Sequence, residues 1–204
     1  MLNLKKVAVT GGLSCGKSTV CRFLRELGAR VVSSDDIVHG LLVAENPIGQ
    51  KVIELLGSDI LTQGKIDRSK IASKVFANPN LLYSLEQLLH PGVFNTINEE
   101  YNKATKDRNI HLFAAEIPLL FETEAEKNFD STLVVVSDPE KSRDRFIKST
   151  HHEKEEFDKR MANQMSLEEK INKGQHVIYN NGSLEQLYEE VKKIYNILTT
   201  NTPI

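Results

Sequence analysis

The sequence contains few of the residues that mark disulfide-rich or metal-binding proteins. Its 204 residues include two cysteines and no tryptophan, and aromatic residues make up 6% of the chain. Cys15 and Cys21 lie at or in a predicted helix, where a separation of about 9 Å is too long for a disulfide. Neither their number nor their spacing suggests zinc. Cys15 lies at a helix start, where a thiolate is stabilised. Two roles are therefore open for this residue: a thiol that is sensitive to oxidants, or a small side chain that only fills space in the loop.

Strong net charge and long apolar runs are also missing. The 26 lysines and arginines nearly balance the 28 aspartates and glutamates, for a net charge of −2. This balance gives no reason to expect nucleic acid or a membrane as a partner. No apolar run approaches the roughly 20 residues of a transmembrane helix, and residues 1–6 lead into a predicted strand and not into a signal peptide. We expect a cytoplasmic protein, either monomeric or homo-oligomeric.

One glycine-rich stretch fits the pattern G-x-x-x-x-G-K-[ST]. Its nine residues are Gly11, Gly12, Leu13, Ser14, Cys15, Gly16, Lys17, Ser18 and Thr19. An apolar run at residues 7–10 precedes it, and from Val20 onward apolar residues recur at i, i+3, i+4 and i+7, as on one face of a helix. Strand, glycine loop and helix in this order are typical of a loop that binds the phosphates of a nucleoside triphosphate. The alternative is a glycine-rich turn with only a structural role.

The motif assigns a role to each part of this phosphate loop. Residues 12–19 are expected to bind the nucleotide, largely through backbone N–H groups that turn inward. The Lys17 ammonium group should reach the β- and γ-phosphates, and the Ser18 hydroxyl should ligate Mg²⁺. A nucleoside triphosphate and Mg²⁺ are therefore the expected ligands.

The remaining pattern predicts an α/β fold built on a five-stranded parallel sheet. Strands are predicted at residues 7–10, 30–32, 110–115, 132–136 and 176–179. Because helical patterns separate these runs, both faces of the sheet should be covered. Residues 36–105 have helical patterns with no convincing strand, and one of these helices is predicted to start at Pro79 and to end near Pro91.

This layout favours a small-molecule kinase in a single domain, residues 1–204. The core is assigned to residues 1–35, 106–140 and 166–204, a helical acceptor-binding insert to 36–105 and a lid region to 141–165. A lid that closes over ATP excludes water from the transferred phosphoryl group. A switch GTPase would be expected to carry an Asn-Lys-x-Asp motif that reads guanine, and the sequence has none.

The phosphate loop is one of a series of short motifs that extends over almost the full length. The series is residues 10–19; Ser33-Ser34-Asp35; Ile66-Asp67-Arg68 with Ile71, Val75-Phe76 and Asn78-Pro79; Leu88-Leu89-His90-Pro91; Ile117-Pro118-Leu119-Leu120-Phe121-Glu122; Arg160-Met161-Ala162-Asn163-Gln164; and Asn181 with Ser183. In composition and order these motifs resemble the dephospho-CoA kinase family. The resemblance implies a three-layer P-loop nucleotide kinase fold. It also implies transfer of the ATP γ-phosphoryl group to the 3′-hydroxyl of dephospho-CoA, giving CoA and ADP in the last step of coenzyme A biosynthesis. The implied partners are ATP, Mg²⁺ and dephospho-CoA.

The resemblance also implies catalytic roles for Lys17, Asp35 and Arg145. Asp35 is the candidate for orienting and partly deprotonating the acceptor hydroxyl; its alternative role is a helix N-cap, which suits Asp36 better. Arg145 matches the lid arginine that clamps phosphates, and Arg143 is a second candidate or a solvated surface residue.

Further contacts are implied for both substrates. Asn181 is assigned to the nucleotide, and Arg160 either to phosphate or to a surface salt bridge. The acceptor is assigned Arg68, His90, Pro118 and Leu119, together with Asp35. For His90 the alternative is a residue that ends a helix before proline, and for Arg68 a salt bridge in a first helical turn. Glu116, at the exit of the third predicted strand, is a candidate for holding Mg²⁺ through water.

Three positions depart from the family's pattern. Ser33 replaces the first acid of D-A-D, Ser149-Thr150 stand where the lid usually has an arginine followed by an aspartate, and an aspartate near Gln175 is missing. Two other functions are therefore considered: a kinase for another nucleoside or nucleotide acceptor, and a non-catalytic ATP-binding regulator.

Overall fold

The computed structural model describes residues 4–151 and 153–200. The strands in these ranges are β1 (Lys5–Gly11), β2 (Arg30–Ser33), β3 (Leu61–Thr62), β4 (Lys65–Ile66), β5 (Leu112–Glu116), β6 (Ser131–Val136) and β7 (His176–Tyr179). The helices are α1 (Lys17–Glu26), α2 (Ser34–Leu41), α3 (Pro47–Leu56), α4 (Arg68–Phe76), α5 (Pro79–Ala104), α6 (Pro139–Thr150), α7 (Lys154–Ala162), α8 (Leu167–Lys173) and α9 (Leu184–Thr200). Short 3₁₀ turns lie at Ser58–Ile60 and Ala125–Asn128. None of the helices within the described ranges is long and apolar enough to cross a membrane.

The chain forms two compact units. The first contains the residues up to Val32 and those from Tyr101 onward, and the second is Ser33–Glu100. The first unit is built on a five-stranded parallel sheet of order β2-β5-β1-β6-β7, which confirms the predicted fold class. In the centre, β1 pairs with β5 and β6. The six residues from Lys6 to Gly11 in β1 are all buried. Burial of consecutive residues is expected for a central parallel strand, because helices cover both faces of the sheet.

The core of the first unit lies where α1 and α9 cover one face of the sheet. Its centre contains the fully or almost fully buried side chains Val7, Val9, Val20, Leu24, Leu133, Val135, Leu187, Val191 and Leu198. The helical contributors recur every three or four residues along α1 and α9, which aligns them in one stripe on each helix. This packing fixes α1, and therefore the phosphate loop that precedes it, against the carboxyl edge of the sheet.

The second unit contains a short hairpin where the sequence predicted only helices. Residues of β3 pair antiparallel with β4, Leu61 with Ile66 and Thr62 with Lys65. The turn residues Gln63 and Gly64 have φ values of 50° and 77°, as a tight two-residue hairpin requires. The expectation of no strand in residues 36–105 was therefore wrong. A strand of two residues is too short to give an alternating pattern of apolar and polar residues in the sequence.

The predicted helix end at His90-Pro91 was also wrong. Helix α5 continues through Pro91 to Ala104. A proline inside a helix removes one N–H donor and strains the preceding turn. The helix is closely packed at this point: Gly92 lies so near the Ile48 and Leu41 side chains that a Cβ atom would meet Ile48 at 2.4 Å. His90 therefore lies in the middle of a helix and does not end one.

Leu24 tests the packing of α1. Its side chain is fully buried, so Leu24→Ala should lower the free energy of unfolding by about 2–5 kcal/mol. The matched control is Leu184→Ala on α9, where the leucine is 59% exposed and the expected change is within about 0.5 kcal/mol. Urea unfolding followed by circular dichroism measures both, and equal midpoints for the two variants would contradict this packing.

Candidate active site

The phosphate loop connects the end of β1 to the start of α1, and two glycines determine its backbone. Gly11 has φ 146° and Gly16 has φ 98°, values that side-chain-bearing residues rarely adopt. A Cβ atom on Gly11 would lie 2.0 Å from the Val135 carbonyl oxygen, and one on Gly16 would lie 2.2 Å from Asn180 Nδ2. The glycines therefore let β6 and the residue after β7 approach the loop closely.

Two polar side chains of the loop already have partners. Lys17 Nζ donates a hydrogen bond to the Gly12 carbonyl at 2.8 Å, which folds the lysine back over the loop. Ser18 Oγ donates a hydrogen bond at 3.0 Å to Oε1 of Glu116, the last residue of β5. The structure thus brings Glu116 to Ser18 of the phosphate loop, although the two residues are almost 100 positions apart in the chain.

The Ser18–Glu116 pair has the chemistry of a Mg²⁺ site. Magnesium prefers oxygen ligands, and beside a nucleotide it takes one or two from protein and the rest from phosphates and water. A hydroxyl and a carboxylate oxygen 3.0 Å apart fit that requirement. Within residues 4–151 and 153–200, no group of three or more His, Cys, Asp or Glu side chains could hold a metal ion without such outside ligands.

Both cysteines point into the core beside the loop. Cys15 is 1% exposed and Cys21 is fully buried, and both are free thiols. Burial raises the pKa of Cys15 despite the nearby Lys17. For Cys21, burial and then the negative charge of Glu116 raise the pKa well above its ordinary value. Of the two roles considered for Cys15, burial in the hydrophobic core favours packing over a stabilised thiolate.

Arg145 reaches the residues that follow β6 and β7. Its guanidinium donates to Ser137 Oγ at 2.9 Å and to the Asn180 carbonyl at 3.1 Å. The competing Arg143 instead pairs with Asp158 at 3.0 Å, which ties α6 to α7. Arg145 is thus the arginine that lies beside the carboxyl edge of the sheet.

Arg160 is engaged within its own helix, α7. Its Nε atom donates to Glu156 Oε1 at 2.8 Å, one turn earlier. The guanidinium also lies over the Phe146 ring, 5.5 Å from its centroid. These contacts agree with the salt-bridge interpretation of Arg160.

Asn180, and not Asn181, contacts the phosphate loop. The buried Asn180 side chain donates from Nδ2 to the Cys15 carbonyl at 2.9 Å. Asn181 Oδ1 instead accepts from the Asp138 N–H at 2.7 Å, at the start of α6. None of the sequence motifs singled out Asn180, although its position directly after a parallel strand is where such folds place functional side chains.

The acceptor candidates Asp35, Arg68 and His90 lie in the second unit. Asp35 is exposed in the first turn of α2. The N-cap of α2 is Ser33, whose Oγ accepts from the Asp36 N–H at 3.3 Å, so the assignment of the cap to Asp36 was wrong. Arg68 is exposed and bonds the His39 ring.

Pro118 and Leu119 lie in the first unit, directly after β5. The Pro118 carbonyl accepts hydrogen bonds from Thr10 Oγ1 and Lys170 Nζ, both at 3.2 Å. The Leu119 side chain is 39% exposed and is available for contact with an apolar group of a ligand.

Comparison with known proteins gives consistent matches over almost the whole chain. The family model described as dephospho-CoA kinase matches residues 5–186. A relative named dephospho-CoA kinase, from Protochlamydia amoebophila (strain UWE25), is 48% identical over 199 residues, covering 97% of this chain and 98% of the relative.

Two solved structures are similar in fold and in length. The crystal structure of TT1252 from Thermus thermophilus superposes with a TM-score of 0.83 at 31% identity, covering 97% of this chain and 99% of that one. The dephospho-CoA kinase from Campylobacter jejuni has a TM-score of 0.72 at 28% identity, covering 97% and 98%. Both values support the same fold.

The raised pKa values of Cys15 and Cys21 predict slow thiol chemistry. At any pH near 8 the thiolate fraction of each should be smaller than in a free cysteine, and burial also blocks the reagent. In the native protein, 5,5′-dithiobis(2-nitrobenzoate) should therefore react with neither thiol within minutes, whereas both should react in guanidinium chloride. A native thiol that reacts as fast as free cysteine would contradict the burial of that residue.

Proposed function

Because the chain belongs to the dephospho-CoA kinase family, we propose that it transfers the γ-phosphoryl group of ATP to the 3′-hydroxyl of dephospho-CoA. The chain is an ATP-dependent kinase by this membership. The observation that carries the residue-level proposal is the contact between Ser18, which follows Lys17 on the glycine loop after β1, and Glu116 at the end of β5. Cytoplasmic location and the division into core, acceptor-binding insert (36–105) and lid (141–165) are part of the proposal.

The donor half of the reaction needs charge neutralisation more than covalent chemistry. Lys17 exchanges its hydrogen bond to the Gly12 carbonyl for the β- and γ-phosphate oxygens. The N-terminus of α1 and the N–H groups of residues 12–19 add further positive potential. Ser18 directly and Glu116 through water would hold Mg²⁺, which would neutralise phosphate charge. Arg145, held by its hydrogen bonds to Ser137 and Asn180, and Asn181 are assigned to nucleotide binding.

The acceptor half is assigned to Asp35. As the acceptor oxygen forms its bond to the γ-phosphorus, the bond from that phosphorus to the β–γ bridging oxygen breaks and ADP leaves. The hydroxyl proton passes to the Asp35 carboxylate and then to water. Asp35 is exposed and is not the cap of α2, since Ser33 serves that purpose. Its carboxylate is therefore free of a helix-capping role.

Four more residues are assigned to binding dephospho-CoA. Arg68, an exposed cation at the start of α4, is suited to a phosphate group. His90 on α5 is suited to a polar group, and it is half-buried. Pro118 and Leu119 are suited to apolar contact. Ser33, which replaces an acidic residue of the family's pattern, caps α2. This replacement leaves one negative charge fewer near the residues assigned to the acceptor.

An ADP-release assay tests the proposed function. ADP should form only when ATP, Mg²⁺ and dephospho-CoA are all present, and Lys17→Ala should lower kcat by at least about 10²-fold. Nucleosides and nucleoside monophosphates serve as a panel of competing acceptors. Faster turnover of one of these would assign another acceptor, and ATP binding without turnover of any acceptor would indicate a regulator.

Asp35 and Asp36 form a matched pair for testing the acid. Asp35→Asn should lower kcat on the order of 10²–10⁴-fold, because the amide accepts no proton. Asp36→Asn removes the same charge from the same helix turn, so its effect on the α2 dipole is similar, yet its kcat should stay near that of the wild type. Steady-state kinetics of both variants decide, and an unchanged kcat in Asp35→Asn would remove the acid from the mechanism.

A further inference from the structure

Lys170 is a fully buried lysine that has no part in the proposed transfer of the phosphoryl group. It lies in α8 with 0% of its side chain exposed. Its ammonium group lies 2.9 Å from Glu122 Oε1 and donates to the Pro118 carbonyl at 3.2 Å. Burying a charge is costly unless it is paired and hydrogen-bonded, so both partners are needed to keep this lysine in place.

On one side, the lysine fixes the peptide that carries Pro118. A proline has no N–H, so its carbonyl is its one backbone hydrogen-bonding group. That oxygen accepts from Lys170 and from Thr10 Oγ1, the latter also at 3.2 Å. Thr10 is fully buried and directly precedes Gly11 of the phosphate loop. The acceptor-binding segment after β5 is thereby joined to the strand that carries the phosphate loop.

On the other side, the pair fixes the connection from α7 to α8. Glu122 Oε1 also accepts from the Met165 N–H at 3.0 Å. Met165 precedes Ser166, the N-cap of α8, whose side chain and that of Glu169 form a capping box. The connection is therefore held at Met165 by Glu122 and at Ser166 by the first turn of α8. Met165 is also the last residue of the segment assigned as the lid.

We propose that Lys170 and Glu122 are positioning residues for phosphoryl transfer, holding the Pro118 segment and the α7–α8 connection in one fixed arrangement. A buried ion pair often adds little net stability compared with well-packed apolar residues of similar volume. Apolar residues of similar volume could not form the hydrogen bonds by which the pair holds the Pro118 carbonyl and the Met165 N–H. The proposal rests on the proposed function, because its effect appears in the use of dephospho-CoA.

The test uses the full chain with Lys170→Met and the double variant Lys170→Met/Glu122→Met. The single variant leaves the Glu122 carboxylate without its cation and should lower the unfolding midpoint. The double variant removes both charges and should recover most of that loss. It still lacks the hydrogen bonds to Pro118 and Met165, so stability and positioning are separated.

Two readouts follow, at a temperature where every variant is folded. Trypsin should cleave the double variant several-fold faster than the wild type at Lys154, Lys159 and Arg160 in α7, with no substrate present. The kcat/KM for dephospho-CoA should fall on the order of tenfold to a hundredfold, as expected for a small misplacement, while the KM for ATP stays within about twofold.

Gln175→Ala is the matched control. Its side chain accepts from the Thr132 N–H at 2.9 Å, just before β7 and at the opposite end of that strand from Asn180. Loss of this bond should lower the unfolding midpoint but leave tryptic cleavage of α7 and the kinetics unchanged.

The outcomes separate the two proposals. Wild-type cleavage rates or wild-type kcat/KM in the double variant would overturn the positioning role, whether or not the unfolding midpoint recovers. Equal effects in Gln175→Ala would also overturn it, since they would follow from stability alone. If the wild type itself does not turn over dephospho-CoA, the proposed function fails, while the trypsin readout still reports whether the pair anchors α7–α8.

Discussion

A Cβ atom on Gly11 would lie 2.0 Å from the Val135 carbonyl oxygen, so β1 and β6 can meet at the carboxyl edge of the sheet only if residue 11 has no side chain. The close approach sets where the phosphate loop turns and where α1 begins. Lys17 and Ser18 then take their positions from the start of α1, and Glu116 takes its position from β5 on the other side of β1. The positions of the donor residues therefore depend on the strand packing beneath them.

Much of the first unit was predictable because its patterns are long and consistent. The apolar runs of β1 and β6 and the stripes of α1 and α9 identify the sheet and its cover without any tertiary information. The β3–β4 hairpin and the continuation of α5 through Pro91 were not predictable in this way. A two-residue strand has no period to detect, and whether a proline ends a helix depends on side chains such as Ile48 that pack beside it.

The candidate site shows the same division between pattern and packing. The phosphate-loop motif located Lys17 and Ser18, because nucleotide-binding loops require those residues at that spacing. The contact of Asn180 instead of Asn181 with the loop, and the burial of Cys15, depend on side-chain direction, which no motif records. The cap of α2 depends on the residue at which the helix begins, Ser34.

The burial of Cys15 and Cys21 has a practical consequence for measuring motion in this protein. Since the chain has only these two cysteines and both are shielded by the core, a third cysteine placed on the exposed face of α7 would be the preferred target of a spin label or fluorophore. The native pair could remain in place, so the packing beside the phosphate loop would be undisturbed. A fourth cysteine on the exposed face of α9 would complete a pair of probes, whose distance could be followed in solution during a single turnover.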